Sequence, residues 1–208
     1  MVVRQGGCMT PAARSWPPAS PDGLRRSLEA AYADPARGYH DLQHLTEVLD
    51  HVDELMQPDD PARDAVLLAA WFHDAVYDGR PDDEERSAQL AGDSIDDPRL
   101  AAEVARLVRL TADHQPADDD HAGQVLCDAD LAILAADRAR YTTYVAGVRR
   151  EHAHVSEDEF AAGRAAVLRA LLAKPTLFHT GAGRDRWETA ARANVERELA
   201  QLTASRSS

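Results

Sequence analysis

Aromatic residues are scarce in this chain: three Phe, three Trp and five Tyr among 208 residues. Strands draw on aromatic and β-branched side chains, and this sequence is instead rich in Ala and Leu, so helix is favoured over sheet. Cysteine is nearly absent. Cys8 and Cys127 lie far apart in different contexts, which argues against a disulfide framework. No apolar stretch reaches about 18 residues, so no membrane-spanning helix is expected. Positive charge is also in short supply. Lys+Arg number 23 against 36 Asp+Glu, a net charge of -13. A body this acidic repels nucleic-acid polymers and anionic membranes, and neither is expected as a partner. A phosphate-bearing substrate needs a metal ion or local arginines to reverse the field. The opening residues lack the apolar core of a secretory signal, so the expected location is cytoplasmic. Nothing legible speaks to oligomeric state.

What is present is a hydrophobic fraction of 44% and a length suited to one well-cored domain. Residues 1–20 carry Gly6-Gly7, Pro11 and Pro17-Pro18, are followed by Pro21, and read as a loosely attached tail. Residues 21–203 form the expected domain, and 204–208 a C-terminal tail. Apolar residues recur at helical spacing throughout, separated by proline and aspartate breaks. The pattern predicts helices near 22–34 (with Asp22 as N-cap), 40–56, 62–76, 83–95, 98–111, 124–136, 138–153, 157–173 and 185–203. No repeat and no alternating strand pattern is found. The expected fold class is all-α, a single-domain helical bundle.

The segment Ala65-Val66-Leu67-Leu68-Ala69-Ala70-Trp71-Phe72 ends in His73-Asp74. An imidazole and a carboxylate in such a setting need partners, because burying either alone is costly. An Asp near a helix C-terminus also opposes the macrodipole, and a divalent cation would satisfy both groups. The plainer alternative is a satisfied core His beside a helix-end Asp. His40 and His44 are four apart, which on a helix sets both on one face; the alternative is two half-exposed helix histidines. Asp128 and Asp130 lie between apolar residues. Asp128 suits a helix cap and Asp130 suits a ligand. His114 closes Thr111-Ala112-Asp113-His114 and reads either as a site residue or as a helix-end His on the dipole. Glu84 is a water-orienting base or an ordinary first-turn acid, and Asp78 is similar. Arg37, Arg149 and Arg164 are the guanidinium groups suited to a phosphate, though Arg149 and Arg164 serve equally as partners of Glu151 and other acids.

The ordered set His, His-Asp, Asp resembles the HD superfamily of metal-dependent phosphohydrolases, most closely a group of small bacterial predicted HD phosphohydrolases. The likeness is carried by Tyr39-His40-x-Leu42-x-His44, Trp71-Phe72-His73-Asp74-x-Val76-Tyr77-Asp78, Glu84-x-x-Ser87-Ala88, Asp128-Ala129-Asp130-Leu131, Arg149-x-Glu151 and Gly163-Arg164. It covers about Tyr32 to Leu199. The resemblance implies an HD-type helical domain whose metal ligands are His44, His73, Asp74 and Asp130. It implies His40, Asp74 and Glu84 in catalysis, and Arg37, His114, Arg149 and Arg164 at the substrate. The Tyr39-His40-x-x-x-His44 segment is also similar to cyclic-nucleotide phosphodiesterases, where the first His gives a proton to the leaving oxygen. Asn194 matches a family position whose role the sequence does not reveal.

Two imidazoles and two carboxylates suit Mn, Fe, Co or Ni, admit Zn, and suit Mg less well. One ion is expected, with His40 and His114 available toward a second. The function implied is hydrolysis of a phosphate ester or anhydride of a small molecule, a nucleotide above all, by a metal-activated water. The alternatives are an HD-fold di-iron oxygenase and a non-enzymatic regulator that binds a metal or nucleotide.

Overall fold

The computed structural model describes residues 16, 17 and 20–204. These residues form helices α1 (Asp22–Tyr32), α2 (Leu42–Leu55), α3 (Arg63–Phe72), α4 (Asp83–Ser94), α5 (Pro98–Leu110), α6 (His121–Leu131), α7 (Arg138–Glu151), α8 (Glu157–Ala173) and α9 (Gly181–Ala204). A 3₁₀ turn at Ala132–Ala135 follows α6. Among the described residues there is no strand, and no helix is long and apolar enough to cross a membrane. The tails expected at 1–20 and 204–208 fall mostly outside the described residues. Within the first of them Trp16 is not loose. Its ring meets Trp71 edge-on at 5.1 Å, and its indole N–H donates to the Ser20 carbonyl.

Helix ends differ from the sequence expectation where side chains take over the backbone. Asp22 is not the cap of α1 but its first residue, preceded by Pro21. Helix α2 begins at Leu42 rather than His40, because the Asp41 carboxylate accepts from the Gln43 and His44 N–H groups. Helix α3 stops at Phe72, so His73-Asp74 forms its exit turn. Ser87 of α4 holds that turn, accepting from Val76 N–H at 3.0 Å. Helix α6 starts at His121, where Asp120 caps it, and Asp128 is therefore mid-helix and cannot cap it.

Two hydrophobic clusters organise the body. The first gathers the apolar faces of α1 to α6 around α3, whose residues Ala65 to Phe72 are all buried. The second joins Tyr39, Leu134 and the inner faces of α7, α8 and α9. Helix α2 packs on α3 and α6. This contact brings His44, the exit of α3 and the C-terminal turn of α6 to one place.

Candidate metal centre

The four residues that the sequence singles out as ligands arrive from three helix ends. His44 lies in the first turn of α2 and is 1% exposed. His73 leaves α3 with its Nδ1–H donating to the Ala70 carbonyl at 2.7 Å. That bond fixes the tautomer and leaves Nε2 as a lone-pair donor. The two Nε2 atoms stand 3.0 Å apart. Asp74 Oδ2 lies 3.0 Å from His73 Nε2 and 3.3 Å from His44 Nε2. Asp130 Oδ1, at the end of α6, lies 3.3 Å from His44 Nε2 and 3.7 Å from His73 Nε2. His44, His73 and Asp130 offer ligand atoms that all lie within 4.8 Å of one another, a group among the described residues that could hold a metal ion. Asp74 Oδ2 lies beside its two imidazoles.

Three observations fit that group to a divalent ion. Donor atoms bound side by side on an octahedral ion, with bonds of about 2.1 Å, sit about 3.0 Å apart, which matches the closest spacings here. Asp74 Oδ2 is buried without a hydrogen-bond partner, close to both imidazoles yet not aligned on either. Two carboxylates beside two neutral imidazoles carry two negative charges, which one divalent ion neutralises. The proton equilibria point the same way. Burial works against a charged His44, yet Asp130 and Asp74 overcome it and raise its pKa to about 10. His73 is raised against the same burial by Asp74. Burial acts to raise the carboxyls of Asp74 and Asp130, but the surrounding imidazoles hold both well below the usual range. The cluster attracts positive charge, as protons or as metal.

Around this group sit residues that orient it. His114 closes the turn four residues after α5, in the left-handed region at φ 53°, and places Nε2 2.8 Å from Asp130 Oδ2. Such a backbone is uncommon for a non-glycine residue and marks an imposed position. Its carbonyl accepts from Lys174 Nζ at 3.3 Å and lies 3.2 Å from His179 Nε2, so the α8 exit and the α9 entrance hold the turn. The buried Tyr32 hydroxyl accepts from Asp74 N–H at 3.2 Å. Arg37, expected at a phosphate, is 8% exposed and turned inward. Its guanidinium donates to the carbonyls of His40, Asp74 and Ala75, which the ends of the loop and of α3 leave unpaired. Arg37 therefore ties the His40 segment to the His73-Asp74 turn.

His40 lies ahead of α2, so helical spacing does not explain its approach to His44. Its ring centroid is nevertheless 5.6 Å from that of His44, and it stacks on Tyr77 at 4.1 Å. The cause is Glu151, the last residue of α7. One carboxylate oxygen accepts from the Gly38, Tyr39 and His40 N–H groups at 2.8, 2.7 and 3.0 Å. The other lies 2.8 Å from His40 Nδ1 and accepts from the Tyr77 hydroxyl at 3.2 Å. Burial alone would raise the Glu151 carboxyl, but His40 and the N–H donors hold it down at about 2. The sequence shows Glu151 only as part of a motif. An acid on the last turn of a helix is the available signal, since the dipole disfavours it without partners.

The remaining candidates lie elsewhere. Arg149 donates to Glu157 and to the His152 and Val155 carbonyls, closing the turn after α7. Arg164 pairs with Glu198 at 2.7 Å and with the Tyr144 hydroxyl. Both are committed within the α7–α9 half. Glu84 is half-buried in the first turn of α4, while its neighbour Asp83 turns inward and accepts from the Asp78 and Arg80 N–H groups. Asp78 pairs with Arg86. Asp128 is fully buried and accepts from the His179 and Thr180 N–H groups at 2.6 and 2.8 Å, holding the entry to α9, which Thr180 caps by accepting from Gly183 N–H. Burial pushes its carboxyl up. Asn194 donates to the Leu134 and Ala136 carbonyls and closes the 3₁₀ turn after α6. Comparison with protein families, with curated proteins and with solved structures finds no match.

Proposed function

We propose that the chain is a metal-dependent phosphohydrolase of the HD type, acting on a phosphate ester or anhydride of a small molecule such as a nucleotide. The observation that carries this reading is the meeting of two imidazole Nε2 atoms 3.0 Å apart with the Asp74 and Asp130 oxygens, one of them buried and unpartnered. His44, His73, Asp74 and Asp130 would hold one divalent ion, with Mn, Fe, Co or Ni the best match to the donors. Such an ion supplies a Lewis acid for a phosphoryl oxygen and lowers the pKa of water toward neutrality.

The protein's own groups divide the proton work. Hydrolysis joins a water oxygen to phosphorus and breaks the bond from phosphorus to the leaving oxygen. Glu151 takes the Nδ1 side of His40, leaving Nε2 to carry the proton delivered to that oxygen. The Asp74 carboxylate, which lies beside both imidazoles, would take the proton released by the attacking water. His114 holds Asp130 by its second oxygen, as an outer partner does for a ligating carboxylate. Release of phosphate or pyrophosphate from a panel of phosphate esters and nucleotides, with each divalent metal in turn, tests the reading. Activity that disappears in His44→Ala supports it. Inertness toward the whole panel while the metal is measurably bound removes it.

A further inference from the structure

We infer that Gly147, inside α7, is a positioning residue for His40, the proton donor of the reaction proposed above, on which this inference rests. Gly147 and Glu151 are four apart, so they share one face of α7. That face is laid against the segment Gly38-Tyr39-His40 with no side chain between the backbones. A Cβ on Gly147 would stand 2.6 Å from the Gly38 oxygen, 2.9 Å from its carbonyl carbon and 3.0 Å from Tyr39 Cβ. A Cβ on Gly38 would overlap the Gly147 oxygen in turn. The Gly38 atoms are backbone and the Tyr39 Cβ is fixed directly on it, so none can swing aside as the end of a flexible side chain does. Arg150 fastens the same contact, donating to the Arg37 and Gly38 carbonyls at 3.2 and 2.8 Å.

The bare contact at Gly147 sets how far Glu151 reaches. Only with α7 seated this closely does one carboxylate meet three successive N–H groups and His40 Nδ1 together. A methyl group at 147 lifts the helix from the segment and loosens the imidazole. The ligands come from α2, the α3 exit and α6, and none of them lies in α7 or in the Gly38-Tyr39-His40 segment. Nor does the change weaken α7 itself, since Ala is the better helix former by about 1 kcal/mol.

The test compares two monoesters of phosphate. An alkyl ester needs its leaving oxygen protonated, whereas 4-nitrophenyl phosphate departs as a stable phenolate and needs little help. For Gly147→Ala we expect kcat on the alkyl ester to fall about 10- to 100-fold, within the range general-acid catalysis supplies. On the aryl ester the fall should stay under about threefold, with the metal-induced rise in Tm retained. Equal losses on both esters, or none on either, overturn the inference. Should Gly147→Ala not fold, Arg150→Ala decides: a smaller loss confined to the alkyl ester supports it, and its absence overturns it. A readout independent of turnover is the proton NMR signal of the His40 Nδ1–H, assigned by its disappearance in His40→Asn. It should shift and exchange faster in Gly147→Ala, and an unchanged signal contradicts the inference. If the wild-type protein hydrolyses neither ester, the NMR signal alone decides the positioning, and the hydrolase reading is decided separately by the full panel.

Discussion

The α1–α6 half and the α7–α9 half of this protein are held together by different chemistry. The first is packed from Ala, Val and Leu around α3, and its buried polar groups outside the cluster, Arg37, Asp83, Ser87, Thr111 and Asp128, tie down turns and helix ends. The second is cross-braced by charge and aromatic rings. Glu198 is 4% exposed and accepts from the Tyr141 hydroxyl at 2.6 Å and from Arg164 at 2.7 Å, while the Tyr144 ring lies under Arg164. Every metal-ligand candidate belongs to the first half, and Glu151, which fixes His40, belongs to the second. An apolar surround keeps donor atoms in place and their charges unscreened, so the first half suits ion binding. The braced half fixes His40 across a bare backbone contact. On the function proposed above, affinity for metal and delivery of protons should be separable by mutation.

Removing the brace is the hardest test of that separation. Glu198→Ala leaves Arg164 buried without its partner, and breaking such a pair costs about 3–5 kcal/mol. We expect a large fall in Tm with metal affinity retained by the folded fraction, as calorimetry can read. Affinity that collapses along with stability would show the halves to be one unit. The converse experiment strips the metal. An ion present at about 100 times its Kd stabilises the folded state by about 2.7 kcal/mol. At roughly 2–4 °C per kcal/mol for a chain of this size, a strong chelator should lower Tm by about 5–10 °C. Identical melting curves would remove the ion from the account.

The link between the halves has a pH signature. Glu151 is depressed from an ordinary value of 4.5 to about 2, so the stability it contributes is fully present above pH 4.5 and is lost as pH falls toward 2. Glu151→Gln should be less stable than wild type at neutral pH, with the difference shrinking across that window in acid-unfolding curves. A difference independent of pH would mean that the carboxylate charge does not hold the His40 segment.

The helical architecture was legible because its signals are local. Proline breaks, aspartate caps and apolar spacing set nearly every helix to within a few residues, and 157–173 matches α8 at both ends. The metal group was legible for a related reason: His73-Asp74 follows an apolar run, and Asp130 sits among core residues, so both advertise a need for partners. His40 was placed near His44 for the wrong reason. Helical spacing does not operate before Asp41, and the approach comes from Glu151, more than a hundred residues away. Arg37 was misread because a buried guanidinium facing carbonyls has the same sequence signature as one facing phosphate. Asp128 was read as a local cap, whereas it holds the His179-Thr180 entry to α9 across the molecule. Pairings between distant segments leave no periodic trace, and these three share that property.

Titration of Mn²⁺ or Co²⁺ into metal-free protein, wild type beside Asp130→Ala and Asp128→Asn, reads the ion site itself. We expect one ion per chain in the wild type, near-wild-type affinity in Asp128→Asn, and a loss on the order of a thousandfold or more in Asp130→Ala, above the roughly 10–100-fold expected for an outer partner. Binding that survives intact in Asp130→Ala, or a wild-type chain that takes up no divalent ion, would contradict this metal site.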